Sequence, residues 1–295
     1  MALELLVREE PHQYIHHDQL FKQLIHTFFA EFLECFFSEV HDAVDFSSLI
    51  PLSGEMFTDL VEGESRTADI VIETKLKNEE TLIIVHVEPQ SYVQKNFEKR
   101  MYQYFSLLYN KHKKPVLPIA IFAYNQKRSE PSEFAITFPF FHVLTLRFLK
   151  LELKNLNWRN YIHSNNPVAA ALLSKMGYSE KEKVQVKKEF LRMLVRLELN
   201  PAKAQLINGF FESYLSLNKS EEEKLMKEIK QLGDQESEQI FKLPNSWREK
   251  GLIEGRKEAK KEDAIEMLKE GLSIDLIIKI TKLSRDEIEK LKKQL

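Results

Sequence analysis

The stretch Arg66–Lys75, RTADIVIETK, followed by Leu82–Gln90, LIIVHVEPQ, decides how this chain is read. Both runs are rich in β-branched residues, and Lys77, Asn78, Glu79 and Glu80 between them are polar. The pattern predicts a β-hairpin. Centring the turn between Asn78 and Glu79 sets Asp69 opposite Glu88, with Cβ atoms ~5 Å apart on one sheet face. Gln90, two residues on, shares that face because side chains alternate with a period of two. Ile70, Ile72, Ile83, Val85 and Val87 take the other face and read as core. The expectation is a polar edge on the back of a buried hairpin, where Glu73 and His86 read as edge residues. Two opposed carboxylates repel, burial sharpens the repulsion, and a divalent cation removes it. Hard oxygen ligands suit Mg²⁺ or Mn²⁺, and the Pro89 carbonyl offers a third oxygen. Such an ion polarises a phosphodiester and acidifies a bound water. Gln90 would hold the attacking water or a phosphate oxygen; an amide does not titrate and is no general base. The plain alternative is a set of solvated acids at strand ends.

Outward from the hairpin, His17–Phe37 reads as one helix, with Leu20, Phe21, Leu24, Phe28, Phe32 and Phe36 on a buried stripe. Residues 93–112 return to helical period, 116–124 read as a buried strand, and 140–149 as a further strand. The helix after the hairpin and its end carry Lys95, Lys99, Arg100, Lys111, Lys113 and Lys114 against Glu98. Clustered cations of this kind contact phosphates. Tyr102, Gln103 and Tyr109 would add hydrogen bonds or stacking. A solvated helix face is the alternative. Asp18 and Lys22, one helical turn apart, are either a helix-start ion pair or accessory groups near the metal edge. His12 and His16 lack a third ligand and read as surface residues.

The chain has 295 residues, 43 % of them hydrophobic and 30 % charged, which is a folded and not a disordered composition. With 43 Lys+Arg against 45 Asp+Glu the net charge is -2, so a nucleic-acid surface has to be a local patch. The single cysteine, Cys35, excludes a disulfide framework, reads as a buried thiol and fits a reducing cytoplasm. The N-terminus is not a signal peptide, no apolar run spans a membrane, and no Gly-rich phosphate loop is present. Three segments are expected: 1–155, mixed α/β; 156–246, helical; and 247–295, a charged helix plus a small helix-turn-helix-like module. Asn166-Pro167 starts a helix and Gly177 stops it; Ser179 with Glu182, and Ser220 with Glu223, read as capping boxes. In the last module Ser273 and Ser284 cap two helices sharing Ile277, Ile278, Ile280, Leu283, Ile288 and Leu291. Its second helix opens Arg285, Asp286, Glu287, which repels phosphate and favours protein contacts or homo-oligomerisation. The charged helix before it reads as a solvated arm.

The segment His17-Asp18-Gln19-Leu20-Phe21-Lys22 resembles the HDxxFK opening of the Rpn family (recombination-promoting nuclease/putative transposase), within the PD-(D/E)XK nuclease superfamily. Ala68-Asp69-Ile70-Val71 and Val87-Glu88-Pro89-Gln90-Ser91 resemble its sD…EhQS core. The resemblance covers roughly residues 14–150. It implies an α/β fold with a PD-(D/E)XK nuclease-like αβββαβ core, a mixed sheet flanked by helices, followed by an all-α C-terminal region. It implies Mg²⁺-dependent DNA endonuclease activity linked to recombination or mobile elements, with RNA as the other substrate class. Asp69 and Glu88 would bind the metal, Gln90 replaces the superfamily's lysine, and Pro89 stands where His is common. The alternative, which Gln90 and the modest basic patch keep open, is a catalytically degenerate nuclease fold acting as a DNA-binding or protein-interaction scaffold.

Overall fold

A computed structural model describes residues 11–52, 70–77, 79–88, 96–243 and 260–292, with backbone alone for 11–18, 84–88 and 286. Its first compact unit reaches Ile240 and its second begins at Phe241. The first unit opens with helices α1 (Pro11–Thr27), α2 (Phe29–Phe36) and the short α3 (Ser38–His41). Strands β1 (Ile50–Leu52), β2 (Ile70–Leu76) and β3 (Glu79–Glu88) follow, then α4 (Phe97–His112) and β4 (Val116–Phe122). A hairpin, β5 (Glu133–Phe138) and β6 (Phe141–Arg147), precedes β7 (Leu149–Glu152). Helices α5 (Pro167–Leu172), α6 (Lys183–Arg196), α7 (Pro201–Tyr214), α8 (Lys219–Lys230) and α9 (Asp234–Lys242) complete the run. The protein is thus α/β, with a mixed sheet flanked by helices and a helical C-terminal region.

The sheet order is β1-β2-β3-β4-β7. β1, β2 and β3 form an antiparallel meander; β3, β4 and β7 run parallel. The β2–β3 register differs from expectation by two residues: Ile70 faces Val85, not Val87, and Leu76 faces Glu79. The cause is the turn. Lys77 adopts a left-handed conformation (φ 49°) directly after β2, and the ladder closes at Leu76–Glu79, one residue earlier than a turn centred after Asn78 in the sequence would place it. A shift of two keeps every side chain on its expected face.

What changes is the meaning of those faces. Val71 and Leu82, on the face expected to be a polar edge, are buried in a cluster with Tyr104 and Leu108 of α4. Ala120 and Phe122 of β4 extend that face beneath Phe97 and Met101. The opposite face buries Ile70, Ile72, Ile83, Ile119 and Ile121. Helix α4 is therefore a lid packed on the sheet. Its sheet-facing residues Phe97, Met101, Tyr104 and Leu108 recur at three- and four-residue steps.

The N-terminal helix is broken where one continuous helix was expected. Phe28 leaves helical geometry (φ -129°, ψ 43°), and α2 restarts at Phe29. Phe28 and Phe32 remain fully buried, so the break redirects the stripe without exposing it. Phe21 packs edge-on against Phe210 of α7 at 5.0 Å between ring centroids. Asn166 caps α5 by accepting from Val168 and Ala169, and donates to the Glu31 carbonyl at 2.7 Å and to Glu34 Oε2 at 3.0 Å. Helices α1 and α2 thus pack on the C-terminal helices within one unit. Burial pushes the thiol of Cys35, on α2, up to about 12.

The Ser179–Glu182 box forms, and Asn200 and Pro201 start α7 as N-cap and first residue. The box expected at Ser220 and Glu223 is displaced: Asn218 and Glu221 form it, and Ser220 lies inside α8. Asn218 is the better cap because its carbonyl reaches the Glu221 N–H while the Glu221 carboxylate returns to its own N–H.

The second unit holds helix α10 over the described residues 260–269, then α11 (Ile274–Thr281) and α12 (Arg285–Lys292). Ile277, Leu283 and Ile288 are its core, with Ile278 and Leu291 against them. Two expectations are corrected here. Ile280 is exposed, and the charged helix is not merely a solvated arm, since Ala264, Met267 and Leu268 complete the core. Three short helices need that third face, because a two-helix pair buries too little apolar area. The cap expected at Ser284 holds, with the Glu287 carboxylate accepting from both the N–H and the hydroxyl of Ser284.

Two predictions arise from this packing. A Cβ at Gly177 would lie 2.6 Å from the Lys154 carbonyl oxygen and 2.9 Å from that of Leu156, both backbone. Gly177→Ala should therefore cost about 1–3 kcal/mol in chemical denaturation. Glu182 accepts from the Ser179 hydroxyl and N–H and pairs with Arg159 at 2.6 Å, which lowers its carboxyl to about 2. A folded pKa below the unfolded value gives stability that is complete above ~4.5 and fades as the pH falls toward 2. Glu182→Ala should lose about 1 kcal/mol at pH 7, after allowance for solvent screening. Unfolding curves of variant and parent should converge near pH 2.

Candidate active site and nucleic-acid interface

The carboxyl ends of the three parallel strands lie side by side. Glu88 of β3 is in register with Phe122 of β4, and Phe122 with Glu152 of β7. Lateral neighbours in a parallel sheet share a face, so positions 88, 122 and 152 belong to the face that α4 covers. In open α/β sheets this carboxyl edge is where ligands bind. Glu88 is the last residue of β3. Asp69, Pro89, Gln90 and Lys95 lie outside the described residues. Asp18 is placed by its backbone within α1. Lys22, one turn further, is half-buried on the same helix.

Sequence reasoning missed the polar network at the outer end of that edge. Glu152 accepts the Glu130 N–H at 2.7 Å, Lys150 Nζ at 2.9 Å and Asn155 Nδ2 at 2.9 Å. Burial alone would raise its carboxyl, but these donors outweigh burial and hold it below the ordinary value. Glu130 is itself buried and pairs with Arg128 at 2.9 Å, while Lys150 also donates to the Glu130 carbonyl at 2.6 Å. A small cavity opens beside them, lined by Tyr124, Gln126, Arg128, Glu152 and Lys154. The alternation in Phe148–Glu152, FLKLE, is its one sequence signal.

The basic helix divides into structural and outward-facing cations. Lys114 bonds Glu73 Oε1 at 2.5 Å and Glu80 Oε2 at 3.0 Å, so it is a sheet clamp. These hydrogen bonds, Glu73 first, raise its pKa. Glu73, expected as a bare edge residue, is thus neutralised across β2, β3 and the start of β4. Arg100 is half-buried and its guanidinium lies 5.4 Å from the Phe97 ring centroid. Tyr102 is not available for stacking on a base, because its ring stacks on Phe134 of β5 at 5.0 Å. Lys99, Gln103 and Asn110 are exposed, at helical steps that put them on one outward stripe, and Lys113 caps its end. Lys111 is exposed on the flank nearer the sheet. Among the described residues, no three His, Cys, Asp or Glu gather as a metal cluster.

The model of the family described as "Putative transposase, YhgA-like" matches residues 15–129, from α1 past β4. The HDxxFK and sD…EhQS motifs point to the same family, and the match lies within the α/β segment. No curated protein and no solved structure matches the chain. No described helix is long and apolar enough to cross a membrane.

The division among the lysines is testable. Lys114→Ala should lower the thermal midpoint, because it leaves two carboxylates beside each other without their cation, and should leave DNA affinity unchanged. Lys99→Ala with Lys113→Ala should do the reverse, reducing the slope of log affinity against log salt by about two.

Proposed function

We propose that this protein is a Mg²⁺- or Mn²⁺-dependent endodeoxyribonuclease that hydrolyses phosphodiester bonds with little sequence preference, in recombination or element mobility. The observation that carries the reading is Glu88 closing β3 at the carboxyl edge of three parallel strands, with the basic helix α4 as the crossover to the next of them. The element order helix, three strands, helix, strand, from α1–α3 through β4, agrees with the αβββαβ core of PD-(D/E)XK nucleases.

The donor set fits a hard divalent ion. Position 71 shares its face with position 84 of β3 and hence with position 88, by the pleat. Asp69 precedes Ile70 in the sequence with the parity of that face, and carboxylate oxygens suit a hard divalent ion. Bound there, the ion would polarise the phosphoryl oxygen and acidify a water. Asp69, Glu88 and the Pro89 carbonyl would hold it. Gln90 would orient the water by hydrogen bonds, its neutral amide moving no proton. Asp18 and Lys22 are accessory, from α1. Lys95, Lys99, Gln103, Lys111 and Lys113 would bind the phosphate backbone, which gives affinity without base selection. Leu272, Leu276 and Ile280, exposed in the second unit, would serve self-association.

Supercoiled plasmid incubated with Mg²⁺ should be nicked by the parent protein and not in EDTA. Asp69→Ala and Glu88→Ala should each reduce nicking by at least about 10³-fold, the scale of losing a group that stabilises the transition state, while circular dichroism stays unchanged. Parental nicking in either variant would remove the assignment. Metal-independent DNA binding by a protein that never nicks would establish the scaffold reading instead.

A further inference from the structure

The β5–β6 hairpin lies beyond the residues matched by the family model. It forms its own two-stranded sheet outside the main one. Its base is anchored: Phe134 stacks on Tyr102 of α4, and the Phe148 N–H donates to the Ser132 carbonyl at 3.0 Å. Its tip is bare. Phe138 pairs with Phe141 across a Pro139-Phe140 turn. Phe140 is 87 % exposed, Phe141 61 % and Phe138 55 %, with Val143 beside them. Phe138 and Phe140 stack on each other at 6.0 Å. A register break between Ile136 and Thr137 makes Val143 the extra residue and bends the ribbon just before the tip. Bulges of this kind re-aim the side chains beyond them.

Water-exposed phenylalanines at a bent tip are a solubility liability that a partner removes. The charges say which partner. From Phe134 to Arg147 the ribbon carries no Asp or Glu, and its charged or titratable residues are His142 and Arg147. The acid at its base, Glu133, is paired with Arg147 at 3.3 Å. The helix on which it stands presents Lys99, Gln103 and Asn110 outward. The acid-free aromatic tip, on a ribbon whose base packs on the helix that carries exposed Lys99 and ends in exposed Lys113, complements a polyanion that has apolar faces between its charges. Duplex DNA is that polyanion. A two-stranded ribbon fits its groove, and apolar side chains inserted between base steps unstack them and kink the duplex.

We propose that Phe140, supported by Phe138 and Phe141, is a wedge that enters duplex DNA between base pairs and positions the strand at the β3 carboxyl edge. The inference rests on duplex DNA as the substrate, and its test is separate from cleavage. The full-length protein is titrated, in EDTA, into duplexes carrying 2-aminopurine, whose fluorescence rises on unstacking. The parent should raise the fluorescence severalfold. Phe140→Ala should abolish the rise and weaken duplex binding about tenfold, as expected for the loss of one stacked base contact. Phe140→Trp should retain both. Lys99→Ala should weaken binding while leaving the rise at saturation intact.

Equal fluorescence and affinity for Phe140→Ala and parent would overturn the wedge. So would a parental dimer in sedimentation, or binding to phosphatidylglycerol vesicles, that Phe140→Ala abolishes while the 2-aminopurine signal is unchanged. A protein that unstacks the duplex but never nicks plasmid would refute the nuclease reading and leave the wedge standing. One that nicks but never unstacks would do the opposite.

Discussion

The parallel pairing of β3 with β4 is the constraint on which the rest of the architecture depends. Seven residue pairs, from Leu82–Val116 to Glu88–Phe122, hold the two strands in step. A parallel pair cannot be joined by a tight turn, so the chain must cross over, and α4 is that crossover. Parallel strands are buried on both faces. That demand explains why α4 presents Phe97, Met101, Tyr104 and Leu108 to the sheet, and why Lys99 is left exposed to solvent. The carboxyl edge carrying Glu88 and Glu152 is a consequence of the same pairing, because only parallel strands bring like ends together.

Covering that face changes the electrostatics of the region. Each acid that the sheet places on it among the described side chains has acquired a partner: Glu73 and Glu80 share Lys114, and Glu152 has Lys150, Asn155 and a backbone N–H. Buried or half-buried carboxylates need such compensation. Under the proposed function, Asp69 and Glu88 would obtain theirs from a metal ion instead of a lysine. The same logic separates the described lysines of the α4 region into Lys114, which neutralises the sheet, and Lys99, Lys111 and Lys113, which stay exposed.

Much of this was legible in the chain. The β2 and β3 runs, the α4 period, the strand from Val116 and the caps at Asn166, Ser179 and Ser284 each arise from local pattern. The failures have local causes too. The hairpin register depends on whether Lys77 enters left-handed geometry, which a lysine rarely does and a pattern does not reveal. The break at Phe28 interrupts a stripe whose apolar period continues through it. Strand β1 is three residues long and contains Pro51, so it carries almost no periodic signal. The β5 run, EFAITF, alternates, but Phe138 at its end faces solvent, contrary to the rule that apolar residues mark a core. Of the candidate site, motif and strand order pointed to the carboxyl edge, whereas the engagement of Tyr102 by Phe134 and of Lys114 by two glutamates depends on tertiary contacts absent from sequence.

Isothermal titration with Mn²⁺ tests the central claim most directly, since it reads the ion without requiring turnover. The account predicts one saturable site in the parent protein, lost in Glu88→Ala and in Asp69→Ala and retained in Glu152→Ala. An identical isotherm in parent and Glu88→Ala, or no heat at millimolar Mn²⁺, would contradict it.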